Sequence, residues 1–228
     1  MHSILAGLTL LAALATAKST PGPGDLNCPS GVHVIVARAS QEAPGPGIMG
    51  QVANMVLERI PGSDMECLDY PALLDPYVPS QTAGVANLIT LIQKYSEKCP
   101  RTKMILMGYS QGAHVTSDVL CGTSETGFPA TKPQQSTVTD KIAAVVLMGD
   151  PSFTAGQPFN VGTSHGSGIF PRLNPDGCKC VDHKMMSICD AGDMFCEKGG
   201  DSLAVHMSYV INWGDAAVDF VLSMIHSY

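Results

Sequence analysis

Residues 108 to 112 read Gly108-Tyr109-Ser110-Gln111-Gly112, a G-x-S-x-G pentapeptide placed where a strand pattern gives way to a helix pattern. The preceding run Lys103-Met104-Ile105-Leu106-Met107 is short and apolar like a buried strand, and Ala113 to Leu120 can continue as a helix. At such a junction the chain must reverse within a few residues. The serine is forced into a strained bend with its hydroxyl above the sheet, and the glycines leave room where side chains would collide. The same pentapeptide also occurs as an ordinary Gly-rich turn with a solvated serine. The strand and helix flanks favour a nucleophile elbow, and with it a sheet whose strands feed helices.

The 228 residues suit one domain, long enough for a sheet covered on both faces. Residues 1–17 carry no Lys, Arg, Asp or Glu, are predominantly apolar from Ile4 to Ala15, and close on Ala15-Thr16-Ala17. That is the pattern of a secretory signal peptide, and it falls short of the roughly 20 apolar residues a membrane span requires. The mature, secreted chain is expected to begin near Lys18. Residues 18–27, with Pro21, Gly22, Pro23 and Gly24, form a loose leader, and 28–228 form the catalytic domain.

Eight cysteines in a secreted chain allow up to four disulfides. Zinc ligation is the competing use, but Cys178-Lys179-Cys180 and the Cys189 to Cys196 pair lack C-x-x-C spacing and no H-x-x-x-H accompanies them, so no metal is expected. A net charge of −7 argues against a nucleic-acid partner. The expectation is a soluble monomer without membrane attachment.

Along the chain, Val32 to Val36 reads as a first strand ending in Ala37-Arg38-Ala39-Ser40. Apolar residues at 48, 49, 52, 53, 56, 57 and 60 have the spacing of an amphipathic helix that Pro61-Gly62 terminates. Met65 to Tyr70 is a second strand. Ser80 can cap a helix from Gln81 to about Lys98, with Val85, Leu88, Ile89 and Ile92 on its buried stripe. After the elbow helix, Thr123 to Thr139 is a Ser/Thr/Pro-rich loop, Ile142 to Met148 a fourth strand, Lys184 to Ile188 a weaker fifth, and Trp213 to Ile225 a final helix. Strands separated by helices imply right-handed crossovers. The architecture expected is α/β, a three-layer sandwich around a mostly parallel five-stranded sheet. Ser40, Ser110 and Asp150 all fall beyond carboxyl ends of strands, where such sheets bind ligands.

A serine hydroxyl needs a base at neutral pH. Of seven histidines, His206 fits best, because it follows the Gly199-Gly200 loop and precedes the last helix, from which it can hang over the strand ends. Spacing alone does not separate His165 and His183 from it, whereas His114 sits in the elbow helix, His33 begins a strand and His226 lies near the terminus. The imidazole in turn needs a carboxylate to fix its tautomer. Asp193, bracketed by Cys189 and Cys196, is the first candidate; Asp190 is the alternative. The chain order Ser, Asp, His is the one α/β hydrolases use.

With these residues in view, the chain resembles the fungal cutinases and the acetylxylan esterases of the same small α/β-hydrolase family. The resemblance rests on Gly108-Tyr109-Ser110-Gln111-Gly112, on Cys189-Asp190-Ala191-Gly192-Asp193-Met194-Phe195-Cys196, and on the downstream His206, and it spans residues 28 to 228. It implies Ser110 as nucleophile, Asp193 as acid and His206 as base. It further implies that Ser40, in Ala37-Arg38-Ala39-Ser40, and the Gln111 amide form the oxyanion hole. No cofactor is implied. It suggests the pairs Cys189–Cys196 and Cys28–Cys99, leaving Cys67, Cys121, Cys178 and Cys180 unassigned. Two residues leave Cys178 and Cys180 little room to bond each other.

Leu120-Cys121-Gly122, Met148-Gly149-Asp150-Pro151 and Val161-Gly162-Thr163 resemble the acetylxylan esterase branch, which implies deacetylation of xylan in the plant cell wall through an acyl-enzyme. The alternative is a cutinase acting on aliphatic polyester or medium-chain esters. Two departures bear on that choice. Thr163 is followed by Ser164 rather than cysteine, and the Pro71 to Pro79 loop carries Leu73, Leu74, Tyr77 and Val78, which could line a longer acyl site. A catalytically silent secreted binding protein would be expected to lack a triad member, and none is missing.

Overall fold

The computed structural model describes residues 28–226. The expected signal peptide and leader, 1–17 and 18–27, lie outside the described residues.

Strands β1 (Val32–Ala37), β2 (Asp64–Cys67), β3 (Lys103–Tyr109), β4 (Ile142–Met148), β5 (Asn160–Val161) and β6 (Met185–Ile188) form one parallel sheet in the order β2-β1-β3-β4-β6-β5. The helices are α1 (Gly50–Arg59), α2 (Tyr77–Lys98), α3 (Gln111–Cys121), the short α4 (Ser136–Thr139) and α5 (Leu203–His206), and α6 (Tyr209–His226). Alternation along the strands divides the core in two. Val32, Val34 and Val36 with Ile105, Met107, Val146 and Met148 pack against Val52 and Val56 of α1 and Val218 and Val221 of α6. On the opposite face, Ile35, Leu106, Val145 and Leu147 pack against Leu88 and Ile92 of α2 and Val115 and Val119 of α3. The three-layer arrangement is the one expected.

The sheet has six strands rather than five. The additional strand, Asn160–Val161, pairs with β6 at the sheet edge and is only two residues long, too short to carry a periodicity. The second strand ends at Cys67, although Leu68 N–H still donates to the Val36 carbonyl at 2.8 Å. Helix α2 begins at Tyr77, so Ser80 is not its cap, and α6 begins at Tyr209, four residues earlier than the apolar stripe indicates.

Cys28–Cys99 and Cys189–Cys196 are bonded as the resemblance implies, and Cys121 bonds Cys178. Three disulfides therefore form among the described residues, not four; Cys67 and the exposed Cys180 are free thiols. The Cys121–Cys178 bridge joins the end of α3 to a distant loop, a proximity that only the tertiary fold creates.

The chain leaves β1 toward β2 on one side and returns through β3 on the other. The carboxyl ends of β1 and β3 therefore form a switch point, where a crevice opens. Ser40 follows β1 and Ser110 follows β3, so topology alone brings them to that crevice.

Candidate active site

Ser110 has φ 53° and ψ −118°, a conformation L-residues rarely adopt, at the step from β3 to α3. It is held there from both sides: its N–H donates to the Met148 carbonyl at 2.8 Å, and its own carbonyl accepts from His114 N–H at 3.0 Å. A side chain at Gly112 would overlap the Ala37 carbonyl, and one at Gly108 would overlap the Gly112 carbonyl. The two glycines thus let β1, β3 and α3 meet closely enough to force the bend, as the pentapeptide predicts.

His206 and Asp193 meet in the fold. His206 Nδ1 lies 2.8 Å from Asp193 Oδ2, with His206 3% and Asp193 0% exposed. Asp193 Oδ1 accepts from the N–H groups of Phe195 at 2.7 Å and Cys196 at 2.9 Å, inside the turn that the Cys189–Cys196 bridge closes. Burial alone would raise this carboxyl. The hydrogen bond and charge of His206 and the two amides outweigh it and hold Asp193 below the ordinary carboxylate range. Tyr209 donates to Oδ2 at 2.7 Å.

Among the described residues the alternative acid, Asp190, bonds no histidine. Its Oδ1 accepts from Thr163 N–H and Oγ1 at 3.0 and 3.1 Å, and its Oδ2 accepts from Trp213 Nε1 at 2.8 Å. It brackets a loop against α6. The alternative bases also separate from the site: His165 is exposed, and His183 is exposed beside Asp182. His114, by contrast, is fully buried within α3, where burial, opposed by the charges of Asp150 and Glu125, lowers it to about 4.

The Ser40 segment is braced by residues the sequence reading did not single out. Glu42 accepts from Ala39 N–H and Ile48 N–H, both at 2.7 Å, and Arg38 donates to the carbonyls of Glu42, Leu68 and Tyr70. Ser40 Oγ is buried and has no hydrogen-bond partner among the described residues, as a donor awaiting an acceptor is. Gln111 opens α3, so its backbone N–H belongs to the helix start, where anions are favoured.

Ser40, Ser110 and His206 share one cleft of about 350 Å³. Leu74 and Tyr77 of the 71–79 loop form part of its wall, together with Ile48, Phe195, Leu203 and Met207. The arrangement supplies a serine on a strained turn, an imidazole fixed by a carboxylate, and an unpartnered Ser40 hydroxyl, around one cleft. Those are the parts acyl transfer requires.

Behind α3 lies a second polar cluster that sequence spacing could not reveal. Arg172 contacts Asp118 at 2.7 Å and Glu125 at 3.1 Å, and it donates to Ser117 at 2.6 Å and Ser152 at 2.8 Å. Asp118 and Glu125 sit near His114 with metal-ligand proximity, but the Arg172 guanidinium already pairs with both carboxylates. Asp150 lies just beyond the carboxyl end of β4, as expected, and its carboxylate faces this cluster through Ser117 and Ser152. Among the described residues no helix is long and apolar enough to cross a membrane.

Comparison with known proteins agrees with this geometry. The family model described as Cutinase matches residues 27–225. The chain is 34% identical over 237 residues to acetylxylan esterase 2 of Talaromyces purpureogenus, covering 99% of this chain and 100% of that one. It is also 34% identical over 229 residues to cutinase 11 of Verticillium dahliae, covering 96% of this chain and 76% of that one. The solved catalytic core domain of acetyl xylan esterase from Trichoderma reesei superposes with a TM-score of 0.81 at 31% identity, covering 86% of this chain and 99% of that one. With its elbow serine and cutinase-like α/β-hydrolase fold, the chain belongs to the cutinase family and is a carboxylic ester hydrolase.

Proposed function

We propose that Ser110 is the nucleophile, His206 the general base, Asp193 the acid that orients it, and the Ser40 and Gln111 N–H groups the oxyanion hole, with the Ser40 hydroxyl as a further donor. The observation that carries this reading is the strained Ser110 opening into the same cleft as a His206 already bonded to Asp193. In the first half-reaction His206 Nε2 takes the Ser110 proton as Oγ attacks the ester carbonyl. Negative charge develops on the carbonyl oxygen, where each preorganised donor contributes about 3 to 4 kcal/mol. The imidazolium then protonates the leaving alcohol, and an acyl-serine remains. Water, deprotonated by His206, releases the acid and restores the serine. The three disulfides and the fungal relatives support secretion.

The substrate is an ester of a plant cell-wall polymer, and the cleft best supports an aliphatic acyl group longer than acetyl. Leu74, Ile48, Leu203 and Met207 give the cleft more apolar surface than a methyl group can use. The likeness to cutinase 11 accords with this. Deacetylation of xylan, the expectation from the sequence, is supported by the whole-domain likeness to acetylxylan esterases. Side-by-side kcat/KM on acetylated xylan and on p-nitrophenyl acetate, butyrate, hexanoate and octanoate separates the two. Labelling with a phosphonate, with Ser110→Ala as control, tests the nucleophile: attachment at any other serine overturns the mechanism.

A further inference from the structure

Asp193 Oδ2 receives two hydrogen bonds, from His206 Nδ1 at 2.8 Å and from the Tyr209 hydroxyl at 2.7 Å. The direction of the second is fixed by a third group. Asp190 N–H donates to the Tyr209 oxygen at 2.9 Å, and of the two acceptors within reach the Asp193 carboxylate at 2.7 Å is far stronger than the disulfide-bonded Cys196 Sγ at 3.2 Å, so the phenolic proton points at Asp193. The ring is 0% exposed, wedged among β4, β6 and the acid loop, and α6 begins at this residue, three positions after His206. Burial, and then the adjoining Asp193 charge, push the phenol far above its ordinary value, so it remains a donor throughout the working pH range.

We infer that Tyr209 is a positioning residue for the proposed acid: its hydroxyl fixes the plane of the Asp193 carboxylate and draws charge from the oxygen that His206 uses. The inference rests on the triad reading given above. A carboxylate that gives part of its charge to a phenol stabilises the imidazolium less. Without the phenol the full charge falls on the imidazole. The protonated form gains, and the acid limb of the rate profile moves upward.

The other titratable groups facing this pair have settled partners. Tyr109, from β3, donates to the His206 carbonyl rather than to the carboxylate. Glu42 and Tyr77 stand across the cleft, where Glu42 accepts from two backbone amides and the Tyr77 hydroxyl lies 3.1 Å from His114 Nδ1. Asp190 is taken by Thr163 and Trp213, and Asp150 by Ser117 and Ser152. None of them offers the Asp193 oxygen a substitute donor.

The test is the pH dependence of kcat/KM on p-nitrophenyl butyrate for Tyr209→Phe, Tyr109→Phe and a protein with 3-fluorotyrosine at position 209. Tyr209→Phe should lower kcat and raise the acid-limb midpoint by roughly half a unit to one unit. The fluorinated phenol is nearly isosteric and a stronger donor, so it should move the midpoint the other way even if the phenylalanine variant folds poorly. Tyr109→Phe should leave the midpoint in place. An unmoved midpoint in both position-209 proteins, or shifts of the same sign, overturns the inference. Retention of turnover in His206→Ala would instead overturn the triad reading on which it stands.

Discussion

The side chain of Gln111, the residue after Ser110, donates from Nε2 to the Leu73 carbonyl at 2.8 Å. Its Oε1 accepts from Ser80 Oγ at 2.8 Å, and that hydroxyl accepts in turn from Leu73 N–H, also at 2.8 Å. The apolar 71–79 loop is therefore fastened to the elbow through one buried amide, so this wall of the cleft and the candidate oxyanion hole share a mount. This explains why Ser80 lies inside α2 rather than capping it. Ser80→Ala removes both of its bonds and leaves Gln111 Oε1 and Leu73 N–H unpaired. It should destabilise the protein by about 1 to 3 kcal/mol and raise KM for hexanoate more than for acetate. Thermal unfolding and a chain-length series read the two effects, and equal KM changes for both esters would show the loop is not part of the acyl site.

Asp193→Asn should preserve the fold while lowering kcat by about 10³ to 10⁴, because an amide can present its N–H to the imidazole and reverse the tautomer. It should also alter the acid dependence of stability. The Asp193 carboxyl is held below its unfolded value, so its contribution is fully present above about pH 3.9 and lost as pH falls through the folded value. Urea unfolding near pH 7 and near pH 3 measures this. The variant should lose less stability between the two than the parent does.

The Cys189–Cys196 bridge closes a loop whose ends are 7 residues apart, and the chain-entropy model assigns so short a loop only about 2 to 2.5 kcal/mol. Its larger effect is local, since the Cys196 amide is one of the two that hold Asp193 Oδ1. Replacing both cysteines by serine should therefore reduce turnover by a larger factor than the unfolding free energy implies. A variant that melts earlier yet turns over normally at 25 °C would contradict this.

Arg172 is the cation that pairs with both buried carboxylates, Asp118 and Glu125. Arg172→Met should cost about 3 to 5 kcal/mol at neutral pH, because it leaves those charges uncompensated. Burial raises both carboxyls above their ordinary values even with the arginine present. Their folded values lie above the unfolded ones, so the penalty in the variant should shrink as acidification protonates them. Unfolding measurements at pH 7.5 and 5 give the sign; a deficit that grows on acidification refutes this account.

What the sequence disclosed follows from how far apart the interacting residues lie. The elbow is local: Gly108, Ser110 and Gly112 enforce it within five residues, and the strands around it are continuous apolar runs. The pairing of Asp193 with His206 spans 13 residues and shows in the sequence only through chain order and family resemblance. The Arg172 cluster joins partners about 50 residues apart, such as Gly122 and Ser117, and the Tyr77 to His114 contact spans 37. Such pairs leave no periodic trace. Asn160–Val161 escaped for a different reason, because a two-residue strand has no pattern of its own.

The acyl preference is the prediction that reaches furthest into function. Leu74, Leu203 and Met207 line the cleft yet remain 46%, 55% and 49% exposed, so each has apolar surface that a bound acyl chain could cover. Each methylene buried there contributes about 0.8 kcal/mol, which corresponds to roughly a fourfold gain in kcat/KM. The rate on p-nitrophenyl esters should therefore climb from acetate through butyrate to hexanoate before the chain outgrows the wall. Leu74→Ala and Leu203→Ala should each flatten that climb while leaving the acetate rate within about twofold, because a two-carbon acyl group does not extend to the rim. A rate that instead falls steeply beyond butyrate in the parent protein, with acetate released readily from acetylated xylan, would return the site to acetyl esters and leave the exposed leucines without a role in acyl binding.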